Sequence, residues 1–490
     1  MLTLKLFFKQ TENKYDLEVP PINLTNPYLP SNVYIPDGEP HVYGNRVYLY
    51  GSHDLPGTHF PCEGDYQCWS APVDDLNHWR NEGTIYRRLQ DPFIRQHQHD
   101  RRPFSKYLFA PDVVQVDSRW YLYYGMGMSG AGIGVAVADS PTGPFKYLGR
   151  VVYPDGTPLG HGRPLFTMPL GFPIFHKRGY PYDPAVIYTG GHLFLYFGYG
   201  HCYLAELSTT DMRTLIKSPA TGQYVSPDLI PHAAPWRIQN APSIRQLDGQ
   251  FYLTYYAKKG PNNALCYATS DQPAGPFRFQ GVLVSLGDGG IFGNERGTAY
   301  QGNTHGGLFQ VNGRYYQSFH RQTGGPCPNR QACLVELQCD QAGRFLPAHF
   351  TSQVRSSGGL PWAQTYMANT ACVLLDRHGR CHKHRAPYFA LQNNQQVVTN
   401  LREGSQVGFK YLDFTGASEK QTVTVEIANS RPGEINVLID DKKRVGTIKV
   451  TTRQRRFTGT TTIPAGRHAL YFEFHGLQHA QFVAFRFSLD

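Results

Sequence analysis

Several features are missing from this 490-residue sequence. It has no apolar run of the ~18 to 20 residues that a membrane-spanning helix needs. Its nine cysteines are scattered and include no C-x-x-C pair of the kind found in zinc and redox sites. Residues 2–8 are apolar, but Lys5 interrupts them and they are too short for a secretory signal. We therefore expect reduced thiols, no membrane partner and a cytoplasmic location.

The sequence also lacks the long runs of basic residues that would predict a concentrated basic surface. The net charge is +10 and the isoelectric point is near 9.0, so an anionic partner has to be considered. The basic residues are nevertheless dispersed along the chain, and no recognised nucleic-acid motif accompanies them. We therefore expect no nucleic-acid partner. Nothing in the sequence determines the oligomeric state.

Aromatic and turn-forming residues are abundant. Tyr and Phe number 32 and 29, and the chain carries 50 Gly and 36 Pro. Long helical patterns are hard to find. This composition, with many short alternating apolar segments, predicts an all-β protein that is rich in turns.

A pattern recurs five times along the first two thirds of the chain. A short polar residue is followed, about ten positions later, by a Tyr- and Phe-rich apolar run with a hairpin turn in between. The leading residues, at intervals of 75, 71, 57 and 65, are Asp37, Asp112, Asp183, Asn240 and His305. Each copy reads as the inner hairpin of one propeller blade, so the pattern predicts a five-bladed β-propeller.

The leading residues of the five copies should face one another, because the inner strand of every blade starts near the propeller axis. A repeated Asp before a strand can also be a simple turn cap. Five copies in register favour convergence on one site.

The pattern of apolar and polar residues changes after the repeats, and this change predicts the domain organisation. Residues 1–355 are predicted to form the propeller, and residues 397–490 carry short alternating strands that predict a β-sandwich. Residues 356–396, which contain a His/Lys/Arg cluster, are either a linker or strands shared with a neighbouring domain.

Paired carboxylates at one rim can hydrolyse a glycosidic bond, because one group activates water while another protonates the departing oxygen. An ordered set of motifs accompanies the repeats: YIPDGEP (34–40), YDPAV (182–186), NAPSIR (240–245), GNTHGG (302–307) and HRQT (320–323). In this set of motifs the chain resembles family 43 glycoside hydrolases. The family consists of inverting enzymes on a five-bladed propeller that act on β-xylosides and α-L-arabinofuranosides.

The resemblance implies a role for each matched residue. It makes Asp37 the general base and Asp183 the residue that tunes and orients the acid. His305 corresponds to an axial histidine, which lies under the substrate in such enzymes. The resemblance therefore implies that His305 binds substrate and is the ligand of a calcium ion or a water at the propeller centre. The general acid of the family, a Glu, corresponds to Asn240.

An amide has no titratable proton to give to a leaving oxygen, so Asn240 departs from the family pattern. Three explanations stay open. The residue is a deliberate substitution, or another acid such as Glu295 serves instead, or the chain has drifted toward weak activity or sugar binding.

Four further residues are candidates for substrate binding, each with an alternative. Glu39 shares the strand face of Asp37, yet it could instead bond backbone amides. Asp112 could shape the floor of the site or cap its strand. Trp69 could stack on a sugar or belong to the core. Arg321 could donate to sugar hydroxyls or bind an Asp.

The carboxyl-terminal strands resemble family 6 carbohydrate-binding sandwiches, although they are shorter than usual, and packing against the propeller is the alternative role. The resulting prediction is an inverting glycosidase with an oligosaccharide substrate, acting on terminal α-L-arabinofuranosyl or β-D-xylosyl residues of plant-derived oligosaccharides. A catalytically impaired carbohydrate-binding protein on the same fold is the alternative.

Overall fold

The fold consists of two all-β units, a propeller and a carboxyl-terminal sheet, in a computed structural model. The structure describes residues 24–99, 106–126, 132–160, 166–167, 173–174, 181–230, 235–327, 329–428, 431–451, 454–477 and 479–489. In that part of the chain no helix has the length and apolar character needed to cross a membrane. The one α-helix described, α1 (Pro92–His97), is capped at its amino end by Asp91 and lies between the first two blades.

The propeller has five blades, as the repeat predicts, and their strands are antiparallel meanders. Blade 1 contains β1 (Glu39–Tyr43), β2 (Arg46–Tyr50), β3 (Tyr66–Pro72) and β4 (Arg80–Tyr86). Blade 2 contains β5 (Phe109–Val116), β6 (Arg119–Gly125), β7 (Ile133–Ala138) and β8 (Lys146–Arg150). A short pair, β9 (Phe166–Thr167) and β10 (Pro173–Ile174), follows. Blade 3 contains β11 (Ala185–Thr189), β12 (His192–Phe197), β13 (Tyr203–Leu207) and β14 (Leu215–Ile216). Blade 4 contains β15 (Arg237–Leu247), β16 (Gln250–Lys259), β17 (Asn262–Ser270) and β18 (Arg278–Ser285). The described strands of blade 5 are β19 (Leu308–Val311), β20 (Arg314–Gln322) and β21 (Arg330–Leu337).

The inner hairpin of each blade forms where the turn signals predict it. In blade 4, Leu247 pairs with Gln250 around a two-residue turn, and both turn residues, Asp248 and Gly249, have positive φ. The Asn312-Gly313 turn of blade 5 has the same geometry. Such turns match the twist of paired strands and need residues that tolerate a left-handed backbone, which Asn, Asp and Gly do.

The five inner strands, β1, β5, β11, β15 and β19, neighbour one another in a closed ring. Gly38 and Gly306, which precede the first and last of these strands, form a parallel bridge. A Cβ on Gly306 would lie only 2.1 Å from the Ser318 carbonyl oxygen, so the close approach requires glycine. Asn26, which precedes blade 1, reinforces the closure of the ring. Its side chain donates to Leu334 O at 2.8 Å and accepts from Leu334 N at 2.9 Å.

The carboxyl-terminal unit is one sheet of twelve strands that curls over on itself and encloses an apolar core. The predicted sandwich is thus two layers, joined where Gly446 pairs with Thr461 between β30 and β31. Its strands, in chain order, are β22 (Leu360–Pro361), β23 (Thr365–Met367), β24 (Val373–Leu375), β25 (Tyr388–Gln392), β26 (Gln395–Thr399), β27 (Ser405–Asp413), β28 (Gln421–Ala428), β29 (Gly433–Ile439), β30 (Lys443–Val450), β31 (Arg456–Thr461), β32 (Arg467–His475) and β33 (Gln481–Leu489). All the strands between residues 356 and 399 pair within this sheet.

The two units share an apolar cluster and a buried ion pair. Phe319 and Cys333 of blade 5 pack in one cluster with Val373 and Tyr471 of the carboxyl-terminal sheet. Lys410 Nζ also lies 2.9 Å from a carboxylate oxygen of Asp288, which follows blade 4. This packing fixes the sheet against the propeller beside blades 4 and 5.

Candidate active site

The candidate site lies at the centre of the propeller, where the inner strands begin. Asp37, Asp183 and Ala241 have φ angles of 57°, 48° and 61°, so left-handed residues lie just before the inner strands of blades 1 and 3 and within that of blade 4. This conformation is unfavourable for alanine and persists only where surrounding contacts hold it. Such backbone outliers cluster at functional sites, and here they lie on or beside the residues that the repeat singles out.

Asp37 is buried against an arginine that comes from blade 5. Arg330 Nη1 donates to both carboxylate oxygens of Asp37, at 3.0 and 3.1 Å, and its other nitrogens bind Asp54 at 2.9 and 3.0 Å. Burial alone would raise the pKa of Asp37, but the charge of Arg330 and the neighbouring histidines outweigh it and hold the pKa at about 2. Asp37 is therefore an ionised carboxylate at any ordinary pH, as a general base must be.

Asp183 is held by the neighbouring blade. Its Oδ2 accepts from the Asn240 side-chain amide at 2.6 Å and from Ala241 N at 3.1 Å. Burial raises its pKa to about 7, and the nearby charge of Asp37 adds to the rise while His305 opposes it. Asp183 thus changes protonation near neutral pH, directly beside position 240.

Asn240 sits where strand β15 is irregular. The pairing with β16 shifts on either side of Asn240, which pairs with Tyr256. Irregularities of this kind re-aim a side chain, and here the amide of Asn240 points at Asp183 instead of continuing the strand alternation. Position 240 is buried, with 8% of its surface exposed.

His305 forms a charged cluster with the two catalytic candidates. Its Nε2 lies 3.1 Å from Glu39 Oε1, and the other oxygen of Glu39 accepts from Arg245 at 2.7 Å and from Ser243 at 2.8 Å. Burial by itself would lower the pKa of His305, but Glu39 and the charges of Asp183 and Asp37 raise it to about 9. His305 is therefore a buried cation that links the sites of Asp37 and Asp183.

Glu39 is fully buried beneath His305. Its contacts are side chains and not the backbone amides that the sequence suggested as an alternative. With 1% of its surface exposed, it has no access to a sugar. This burial does not support the prediction of substrate binding, and the contact with His305 indicates that Glu39 positions that residue.

Asp112 occupies the same layer beneath the site. Its carboxylate accepts from Val113 N and Val186 N, both at 2.8 Å, and lies 2.6 Å from His41 Nε2. These partners belong to three adjacent inner strands, so Asp112 ties blades 1, 2 and 3 together. It is fully buried, which favours the structural reading over direct contact with substrate.

Trp69 packs in the core between blades 1 and 5. It lies on the third strand of blade 1, away from the axis, and contacts the cluster that contains Leu49 and Phe309. Its exposed fraction is 6%. This placement does not support the prediction that Trp69 stacks on a sugar.

Arg321 points away from the site because side chains alternate along strand β20. His320, its neighbour, accepts from Asp37 N through Nδ1 at 3.1 Å, which fixes the inward face. Arg321 instead donates to Ala371 O at 2.8 Å and Asn369 O at 2.5 Å and stacks over Phe389. The prediction of sugar or Asp binding is therefore corrected, since Arg321 connects blade 5 to the carboxyl-terminal unit.

Glu295 lies at the end of the propeller that carries Asp183 and Asn240, but it is distant from both residues. Its carbonyl oxygen accepts from Asn262 Nδ2 at 2.8 Å, which places it beside the turn between β16 and β17. Asn240 pairs with Tyr256, three residues before that turn, so the two positions are separated by about 10 Å along the strands. The side chain of Glu295 is exposed to solvent, whereas Asp183 and Asn240 are buried at the axis.

The described residues around His305 do not fit a calcium ion. Calcium takes six to eight oxygen ligands. The ligand atoms of Glu39, His41 and Asp112 lie within 4.8 Å of one another, but the guanidinium of Arg245 is 2.7 Å from Glu39 and 3.3 Å from His41. That cation already balances these carboxylates, so the described residues offer a calcium ion no set of free oxygen ligands.

Three site residues were not identified from the sequence: Arg330, His320 and Arg245. His320 and Arg245 stand inside the recognised motifs, and strand alternation would have separated inward His320 from outward Arg321. Arg330 carries no local signal, because it reaches Asp37 across 293 residues of chain when the propeller closes.

Replacing Asp183 by Asn is expected to stabilise the protein in a pH-dependent way. The pKa of Asp183 rises from 3.8 in the unfolded chain to about 7 in the folded protein. The contribution of the protonated carboxyl group to the free energy of unfolding is therefore complete below pH 3.8 and is lost as the pH rises to about 7. Asn keeps the same shape without the charge, so D183N should match the parent near pH 4 and melt a few degrees higher at pH 8. Thermal unfolding at both pH values measures this. A difference in Tm that does not change with pH would contradict the burial of a titrating carboxyl.

Comparison with known proteins places this geometry in context. A family model described as "Glycosyl hydrolases family 43" matches residues 25–345. A xylosidase/arabinosidase of Thermoclostridium stercorarium is 33% identical over 496 aligned residues, which cover 95% of this chain and 99% of the relative. Among solved structures, an arabinoxylan arabinofuranohydrolase of Bacillus subtilis in complex with cellotetraose is 21% identical, with a TM-score of 0.47, and covers 96% of this chain and 98% of its own. A β-xylosidase/α-arabinofuranosidase from a compost microbial metagenome, in complex with xylotriose in a calcium-free form, is 21% identical with a TM-score of 0.47 and covers 65% of this chain and 96% of its own.

Proposed function

Because the chain belongs to family 43 of the glycosyl hydrolases and is a glycosidase, we propose that it releases terminal α-L-arabinofuranosyl or β-D-xylosyl residues from plant-derived oligosaccharides. The observation that carries the proposal is the pair of buried carboxylates with opposite pKa shifts, Asp37 at about 2 and Asp183 at about 7. Carboxyl groups whose environments separate their pKa values in this way are typical of acid–base sites.

Asp37 is proposed as the general base. Its carboxylate takes a proton from a water molecule while the water oxygen bonds to the anomeric carbon and the bond to the leaving oxygen breaks. Attack from the face opposite the leaving group inverts the anomeric configuration. Arg330 keeps Asp37 ionised and oriented but does not exchange a proton in this step.

Asn240 determines which substrates react well. The amide occupies the position from which the family acid protonates the leaving oxygen, and it holds no acidic proton. The leaving group therefore departs as an anion that solvent protonates later. Aryl glycosides with acidic phenols tolerate this route, whereas oligosaccharides, whose leaving group is a sugar hydroxyl, react slowly.

A catalytically impaired carbohydrate-binding protein is the second candidate function, and Asn240 is the observation that favours it. Both candidates share the sugar-facing site and differ in turnover. They are therefore separated by activity on a substrate that needs no proton donor.

Turnover of 4-nitrophenyl α-L-arabinofuranoside and 4-nitrophenyl β-D-xyloside tests the proposal. We expect hydrolysis of at least one of the two, with the product first seen by proton NMR as the anomer opposite to the substrate. Sugar binding without turnover of either compound would favour the binding protein. A retained anomeric configuration would contradict Asp37 as the base of an inverting reaction.

A further inference from the structure

A concave surface lined by arginines lies outside the active site, on the carboxyl-terminal unit. Two adjoining cavities, of about 390 and 480 Å³, share Arg402 and Glu403 in their walls. The first cavity also presents Arg377 and Arg385, and the second presents Tyr388. We call the two cavities together the basic groove.

The arginines of the basic groove are not neutralised by protein carboxylates. Arg385 makes no side-chain hydrogen bond or ion pair with the residues that the structure describes. The other two use only Nε, Arg377 toward His378 Nε2 at 3.0 Å and Arg402 toward Asn400 Oδ1 at 3.1 Å. All three arginines are exposed and therefore keep free N–H donors. Each guanidinium group is planar, and its paired donors match the two oxygens of a carboxylate.

The acidic residues in the groove already have partners of their own. Glu403 is bound by His475 Nδ1 at 2.7 Å and by Gly476 N at 2.9 Å. Asp376 is buried and accepts from His378 N and Arg380 N at 2.9 and 3.1 Å within a turn. Neither carboxylate is placed to cancel the three guanidinium charges.

The basic groove adjoins blade 5 of the propeller through Tyr388. The carbonyl oxygen of Thr323, just beyond the end of strand β20, accepts from Phe389 N at 3.0 Å. Tyr388, the preceding residue, packs over Gly325 and also lines the groove. The Tyr300 hydroxyl anchors the same segment by donating to Pro387 O at 3.1 Å. The groove therefore lies beside the end of strand β20, the strand that carries His320.

We infer that the basic groove binds a uronate residue of an acidic oligosaccharide, with the sugar carboxylate on the guanidinium groups of Arg377, Arg385 and Arg402 and a pyranose face against Tyr388. An isolated tyrosine beside the cations suits one or two sugar rings. Nucleic acid is less well matched, because the groove has no series of aromatic rings for stacked bases among its described lining residues. The inference rests on the proposed function and extends it by naming an acidic glycan as the bound substrate class.

Isothermal titration of the full chain tests this inference with three probes: xylotriose that carries a glucuronate branch, unbranched xylotriose, and a single-stranded DNA 12-mer. We expect the acidic sugar to bind at least about tenfold more tightly than the neutral one, as a charge-assisted contact would give. The triple variant R377Q/R385Q/R402Q should lose this preference. The control K420Q/K443Q/R444Q removes the same charge from exposed positions of the same unit and should keep it.

The outcomes separate this inference from the proposed function. Equal loss in both triple variants, no preference for the acidic sugar, or tighter binding of DNA than of the acidic sugar would overturn it. Hydrolysis of the aryl glycosides should be unchanged in both triple variants, since none of these residues contacts Asp37, Asp183 or Asn240. If the acidic sugar binds but no aryl glycoside is hydrolysed, only the proposed function fails.

Discussion

Replacing Asn240 by Glu is expected to raise kcat/KM on unactivated oligosaccharides by about 10² to 10⁴, the usual contribution of a general acid. The side chain at position 240 already lies 2.6 Å from Asp183 Oδ2. Two carboxyl groups at that distance cannot both ionise readily, so the pair keeps one proton near neutral pH. A Glu at position 240 would therefore share that proton with Asp183 and could donate it to the leaving oxygen. Activity on an aryl glycoside with an acidic phenol should change by less than about tenfold, because that leaving group needs no proton. Initial rates on both substrates measure the contrast.

Asn240→Gln is the matched control for this experiment. Gln has the length and shape of Glu but no titratable proton. It should leave the rate on unactivated substrates at the level of the parent chain. Glu295→Gln should also leave it unchanged. An equal gain with Gln would show that side-chain length and not acidity matters, and a loss of residual activity in E295Q would assign the proton to Glu295.

Replacing Asp37 by Asn is expected to lower the turnover of aryl glycosides by about 10² to 10⁴, because the attacking water loses its base. The substitution keeps the size of the side chain, so sugar affinity should be retained. Arg330 also keeps two hydrogen bonds to Asp54, which limits the structural disturbance. Rates on 4-nitrophenyl glycosides, together with titration of the matching free sugar, separate lost chemistry from lost binding.

Asp54→Asn provides the control for Asp37. Asp54 is equally buried and binds the same guanidinium, but it does not precede an inner strand. D54N should destabilise the protein by removing one of the two charges around Arg330, while aryl turnover falls much less than in D37N. Comparable losses of turnover in the two variants would show that the charge balance of Arg330, and not a base at position 37, accounts for the effect.

The architecture was predictable because its signals are local. Each inner hairpin is encoded within about twenty residues by a turn such as Asp248-Gly249 between alternating apolar residues, and five such hairpins specify a propeller. The leading residues Asp37, Asp183, Asn240 and His305 could be named for the same reason.

The electrostatic partners of these residues were not predictable from the sequence. Arg330 and His320 lie 293 and 283 positions away from Asp37 and meet it only when blade 5 closes on blade 1. The burial of Glu39 was not predictable for the same reason. Its place on the strand was read correctly, but its burial by Arg245 and His305 depends on blades 4 and 5.

The dependence of kcat on the pKa of the leaving phenol, across a series of aryl glycosides, tests the central claim most directly. That claim is a site with an intact base at Asp37 and no proton donor at Asn240. We expect log kcat for the parent chain to fall steeply as the phenol becomes less acidic, and N240E to flatten the slope. A shallow slope in the parent chain would show that another group protonates the leaving oxygen and would contradict the account.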